Sequence, residues 1–213
     1  MVSMYLKIAS ALFGSALLAV LSVQDVRSPI DTSYALSARQ EWGPVSDGLR
    51  MAISPLISGN SPREHTAFDV AIQNVGDADI VLNLGQMLAN GKVMFPTAIH
   101  LTLTDAQGKT RELHFSDKRY PVIAGRVDDF TVALRSSSIY VLRVSLDQYW
   151  SSETKEYVLT LSDGRYRIAA RLEGQGAKSV NSDMRGIALM NFWKGTVQSN
   201  SFEFEVRKRG VPK

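Results

Sequence analysis

The sequence predicts an all-β fold, an antiparallel β-sandwich of eight or nine strands. Three observations carry the prediction. From Leu49 onward apolar side chains recur with a period of two, the spacing of strands that bury one face. Clusters of Gly, Asn, Asp and Ser separate these runs and supply turn chemistry. A helical period is sustained nowhere, and only "SDMRGIALMNFW" is compatible with a short helix.

The chain opens with Lys7, the mostly apolar run "IASALFGSALLAVLSV" from Ile8 to Val23, and then polar "QDVRS". A lone basic residue, a short apolar region and small residues near its end have the form of a secretory signal peptide, with cleavage expected after Ser22. The run is shorter than the roughly twenty residues that span a bilayer, which favours a cleaved signal over a retained anchor. Residues 23–44 have no sustained period and read as a lead-in. The sandwich is expected over 45–207 and a basic tail over 208–213.

Cysteine is absent, which excludes a lipid anchor on Cys, a disulfide framework and thiolate metal sites. A domain of this length can rest on its hydrophobic core alone. No usable Asn-X-Ser/Thr acceptor occurs either, so an exported protein of a bacterial envelope, periplasmic or extracellular, fits best. The net charge of +3 is small and its signs are interspersed, which argues against nucleic acid as a partner. Membrane contact is expected only through the signal segment or the basic tail.

The strands come in order. "AFDVAIQ" puts Phe68, Val70 and Ile72 on one face, "NVGDAD" turns the chain, and "IVLNL" returns. "IHLTLT" aligns Ile99, Leu101 and Leu103, and the next strand aligns Leu113 with Phe115. Both sets face one core only if paired positions sum to an even number, which requires an odd loop. The turn at Asp105–Lys109 provides one, with Gly108 at its left-handed position. Leu101 then faces Leu113 and Ile99 faces Phe115, while outside His100 meets His114 and Thr102 meets Glu112. "FTVALR", "YVLRVSL", "YRIAARL" and "SFEFEV" complete the set.

The His100–His114 pair has ligand chemistry, but a catalytic zinc usually takes three protein ligands and the sequence offers no evident third. The pair reads as two outward rings, and no metal or cofactor is assigned. Nucleophile-elbow, zincin, phosphate-loop and dinucleotide motifs are all missing from the sequence, and Glu64-His65 reads as a strand start. The expectation is a protein without catalytic residues.

"LSDGRYRI" resembles the corner that opens strand F of immunoglobulin-like sandwiches, where a Tyr hydroxyl bonds back to the upstream backbone. By that resemblance Gly164 lets the chain turn, Tyr166 pins the corner, and Asp163 is a turn residue rather than an acid catalyst. "FWKGTVQSNSFEFEV" resembles the last strand of bacterial immunoglobulin-like modules, which implies that Trp193 is a packing anchor. Over roughly Phe68 to Leu172, "FDVAIQNVGDADIVLNL", "LTLTDAQGKTRELHFSDKRYP" and "LSDGRYRIAARL" also resemble, in order, the bacterial intracellular proteinase inhibitor family. This chain adds a signal segment and a longer insertion after Leu84, and no inhibitory residue carries over.

The functional expectation is an exported binding or structural module of the cell envelope whose partner is a protein or an envelope polymer. Proteinase inhibition and carbohydrate binding are the alternatives. If connections alternate between two ends, "NVGDAD", "DAQGK", "RSSSI" and 173–192 share one end and four longer connections share the other. The longer set carries Met87, Met94, Phe95, Tyr120, Tyr149 and Trp150, and long loops on a rigid scaffold are where recognition usually sits. These six are the candidate partner-binding residues.

Overall fold

The computed structural model describes residues 41–56, 67–88, 93–115, 127–151, 153, 159–176 and 191–206. Their secondary structure is β1 (Leu49–Pro55), β2 (Ala67–Asn74), β3 (Ile80–Leu88), β4 (Val93–Phe95), β5 (Ile99–Asp105), β6 (Thr110–Phe115), β7 (Val127–Leu134), β8 (Ile139–Ser145), β9 (Tyr149–Ser151), β10 (Gly164–Gly174) and β11 (Gly195–Val206). A single 3₁₀ turn at Leu146–Gln148 precedes β9. The fold is all-β with antiparallel sheets. The described residues hold eleven strands against the eight or nine expected, and two of them, β4 and β9, are three residues each, too short to give a period. Of the stretch read as helix-compatible, residues 182–190 lie outside the described residues. Phe192 makes a parallel bridge to Val81.

The strands form three sheets, ordered β1-β2-β8, β11-β10-β5-β6-β9 and β4-β3-β7. Their inner faces meet in one core containing Met51, Phe68, Ile72, Leu82, Leu101, Leu113 and Ile168. The two-residue period explains why. Phe68, Val70 and Ile72 are all essentially inaccessible, as are Ile99, Leu101 and Leu103, because alternate side chains of a strand share a face. β1 lies beside β11, and the Asn200 side chain accepts the Ile53 amide at 2.8 Å.

The β5–β6 hairpin has the register that the apolar pattern requires, with Leu101 opposite Leu113 and Thr102 opposite Glu112. Gly108, at φ 80°, donates its amide to the Asp105 carbonyl at 3.0 Å. The Asp105 carboxylate accepts the amides of Gln107 and Lys109, so the turn's own side chain satisfies donors that the ladder leaves over.

The turns at 75–79 and 135–138 differ from hairpins in kind. β2 pairs with β8, whereas β3 pairs with β7. Each turn therefore carries the chain from one sheet to another, and the two are stacked. Ser136 Oγ donates to the Gly76 carbonyl at 2.6 Å, and the Ser136 amide donates to Asp79 at 2.9 Å. Buried Asn74 ties both together: its Nδ2 donates to the carbonyls of Ala78 and Leu134, and its Oδ1 accepts the Gly76 amide. A buried amide side chain is tolerated here because its hydrogen-bonding groups find partners.

The expected division of the turns between two ends is corrected at "DAQGK". Asp105 pairs with Tyr166 at the start of β10, while Ile99 pairs with Leu172 near its end. The β5–β6 turn and the segment after Gly174 thus sit at opposite ends of this sheet. The additional reversal at β4, between β3 and β5, accounts for the β5–β6 turn, whereas the turns at 75–79 and 135–138 share one end as expected.

Candidate functional site

Three strands of the five-stranded sheet place charged and imidazole side chains on one outward surface. His100 of β5 stands opposite Arg171 of β10, and His114 of β6 stands opposite Trp150 of β9. Glu112 shares a face with His114 because the two are two residues apart on one strand. The Nδ1 atoms of His100 and His114 lie 3.1 Å apart, and Glu112 Oε1 lies 3.9 Å from His100 Nδ1. His100, Glu112 and His114 each offer a ligand atom, all within 4.8 Å of one another.

A ring of partners surrounds this trio. Glu173 Oε2 is 3.6 Å from His100 Nε2, and Arg171 joins the two carboxylates, pairing with Glu112 and, at 2.7 Å, with Glu173. The Trp150 ring lies 6.0 Å from that of His114. Burial lowers the His100 pKa below the ordinary histidine value. Glu173 opposes the shift, Arg171 and His114 reinforce it, and Glu112 opposes it more weakly. A neutral imidazole keeps a lone pair free for a hydrogen or a cation.

The sequence places His100, His114 and Glu112 on one outer face but does not single out Glu112 as a third ligand. The signal was present in the spacing Glu112-X-His114, which puts both on the face that His100 shares. Glu173 and Arg171 needed the pairing of β10 with β5, which joins segments about seventy residues apart and leaves no local trace.

The six candidate partner-binding residues separate into two groups. Phe95 and Tyr149 are core residues, 3% and 0% exposed, and this corrects their assignment to a surface. The reason is strand alternation: on β4 and β9 these positions point inward, while their neighbours Met94 (47% exposed) and half-buried Trp150 point outward. Met87 packs partly against the core, and Tyr120 lies outside the described residues. The inward rings form a chain, Phe95 to Phe115 at 5.9 Å and Phe115 to Tyr149 at 5.5 Å between centroids, both edge-on.

Tyr166 is buried, and its hydroxyl donates to the Ser162 carbonyl at 3.0 Å. Gly164, two residues earlier, has φ 155°, and Asp163 is exposed. Trp193 is buried, with Nε1 donating to the Asp47 carbonyl at 2.9 Å. Its ring lies so close to Gly174 that a Cβ there would meet it at 2.3 Å. A cleft of about 430 Å³ beside the β5–β6 turn is bordered by Asp105, Arg165, Arg167 and Glu203, where Arg167 and Glu203 pair at 2.9 Å. No family model matches this chain, and no curated protein matches it.

Proposed function

We propose that this chain is an exported, non-catalytic, immunoglobulin-like binding module of the bacterial cell envelope. Its recognition positions are Met94, outward on β4, and Trp150, outward on β9. The observation that carries the reading is the ring chain Phe95–Phe115–Tyr149. These side chains stand within three residues of the connections at 89–92, 116–126 and 152–158. One aromatic cluster therefore stands near the ends of three connections, and an exposed Met and a half-buried Trp adjoin two of its rings in sequence. Aromatic residues and Met are enriched at protein interfaces, and a rigid base lowers the entropic cost of binding. The Tyr166–Ser162 bond and the stacked turns between sheets support an immunoglobulin-like form.

The test is retention on isolated envelope fractions by protein recovered from an exporting cell. Its N-terminal mass should correspond to cleavage after Ser22, and binding should saturate. The M94D/W150D double variant should bind at least tenfold more weakly while melting like the wild type. A full-length N-terminus would exclude the cleaved signal, and variant binding at wild-type strength would exclude this surface. Tight, stoichiometric inhibition in a protease titration would replace the reading with the inhibitor alternative.

A further inference from the structure

We propose that His100, Glu112 and His114 form a binding site for one divalent first-row transition metal ion, zinc foremost. The inference goes beyond the module reading. It needs only the β5–β6 hairpin and its pairing with β10, and it stands whether or not the chain is exported.

The two nitrogen atoms are already spaced for chelation. Zn–N bonds of about 2.05 Å at a tetrahedral angle put ligand nitrogens about 3.3 Å apart, and the two Nδ1 atoms are 3.1 Å apart. Without a cation, two unprotonated nitrogens at that distance would repel, so the pair is held together only by a shared proton or a shared metal. Glu112 is the third ligand. Its oxygen, at 3.9 Å from His100 Nδ1, must move in by a few tenths of an ångström, and a side chain 45% exposed has the freedom to do so. Two imidazoles and one carboxylate, with an open fourth position, are a ligand set that zinc accepts.

The surroundings favour this use of His100. With Nδ1 toward the metal, the Nε2–H faces the Glu173 carboxylate at 3.6 Å. A carboxylate behind a ligating histidine fixes its tautomer and raises its basicity. Arg171 must share Glu112 with the ion or release it, and it keeps Glu173 as a partner at 2.7 Å. The donor set also selects the metal. Calcium and magnesium require oxygen ligands, whereas imidazole suits zinc, copper and nickel. The backbone ladder fixes His100 and His114 on neighbouring strands, so little ordering is left for the ion to impose.

The experiment uses the full chain without an affinity tag, stripped by a chelator and titrated with zinc chloride in a calorimeter. Cobalt(II) chloride supplies a second, visible-absorption readout of the ligand geometry. The expected result is saturation at one ion per chain, a higher melting temperature with zinc, and an intense cobalt band of low coordination number. H114Q and E112Q should each lose at least tenfold in affinity and lose the cobalt band, while melting like wild type when metal-free. E173Q should weaken binding by about tenfold through the orientation of His100. H65Q, which removes the remaining histidine of the three, should bind as wild type. Calcium chloride at the same concentration should produce no saturable heat. Absence of saturable zinc binding overturns the proposal, as does wild-type affinity in H114Q or loss of the site in H65Q. Envelope binding is read separately, by the M94D/W150D variant in metal-free buffer, so failure of the metal site and failure of the module reading are distinguishable.

Discussion

Tyr149 is wholly buried, and its hydroxyl has no hydrogen-bond partner among the described residues. An unpaired buried hydroxyl costs about 1–3 kcal/mol, so Tyr149→Phe should hold or raise stability, by up to about 2 kcal/mol in denaturant titration. Burial also raises the Tyr149 pKa above its ordinary value of 10.0. Above pH 10 the unfolded chain loses this proton while the folded chain keeps it, so stability falls as pH rises. Tyr140, raised by the same cause, adds to the fall. Melting temperatures across pH 9–11 should therefore drop less in Tyr149→Phe than in the wild type. Tyr166 is the opposite case, because its hydroxyl is bonded to Ser162. Tyr166→Phe should cost about 1 kcal/mol, measured as a lower denaturant midpoint with an unchanged slope.

At the scale of elements, the turns divide into hairpins and connections between sheets. The β5–β6 turn closes on itself through Asp105 and Gly108, and its register followed from the positions of five apolar residues. The turns at 75–79 and 135–138 use the same residue types, yet they join strands of different sheets. Gly, Asn, Asp and Ser state that a chain bends and leave open which partner the next strand finds. Asn74 is the residue on which both bends depend. Asn74→Ala leaves the Ala78 and Leu134 carbonyls and the Gly76 amide without this partner. A loss of about 3 kcal/mol is expected, read by thermal and denaturant unfolding. A loss below about 1 kcal/mol would mean that the two bends are held by other contacts.

Across the whole molecule, three sheets share one core, and the outward surface of the five-stranded sheet brings together residues from β5, β6, β9 and β10. This surface explains why the charges there are paired rather than dispersed. Arg171 lies between Glu112 and Glu173, which limits the repulsion that two carboxylates beside two imidazoles would otherwise leave to solvent. Replacing Arg171 with Gln should therefore lower stability by only about 0.5–1 kcal/mol at low salt, since the pairs are partly exposed. The deficit should shrink in 1 M salt, and a salt-independent deficit would identify lost packing as its cause.

The sequence by itself determined the all-β class, the inward faces of the long strands and the β5–β6 register, including the meeting of His100 and His114. Each of these follows from the two-residue period and from turn length, which are local properties. Only the tertiary structure decided that Phe95 and Tyr149 face the core while Met94 and Trp150 face outward. A three-residue strand has no period to read, and its inward side is set by whatever sheet packs over it. The same holds for the surroundings of His100. Glu173 and Arg171 reach His100 because β10 pairs with β5, and long-range strand pairing is chosen by the burial of the whole core rather than by residues near either strand.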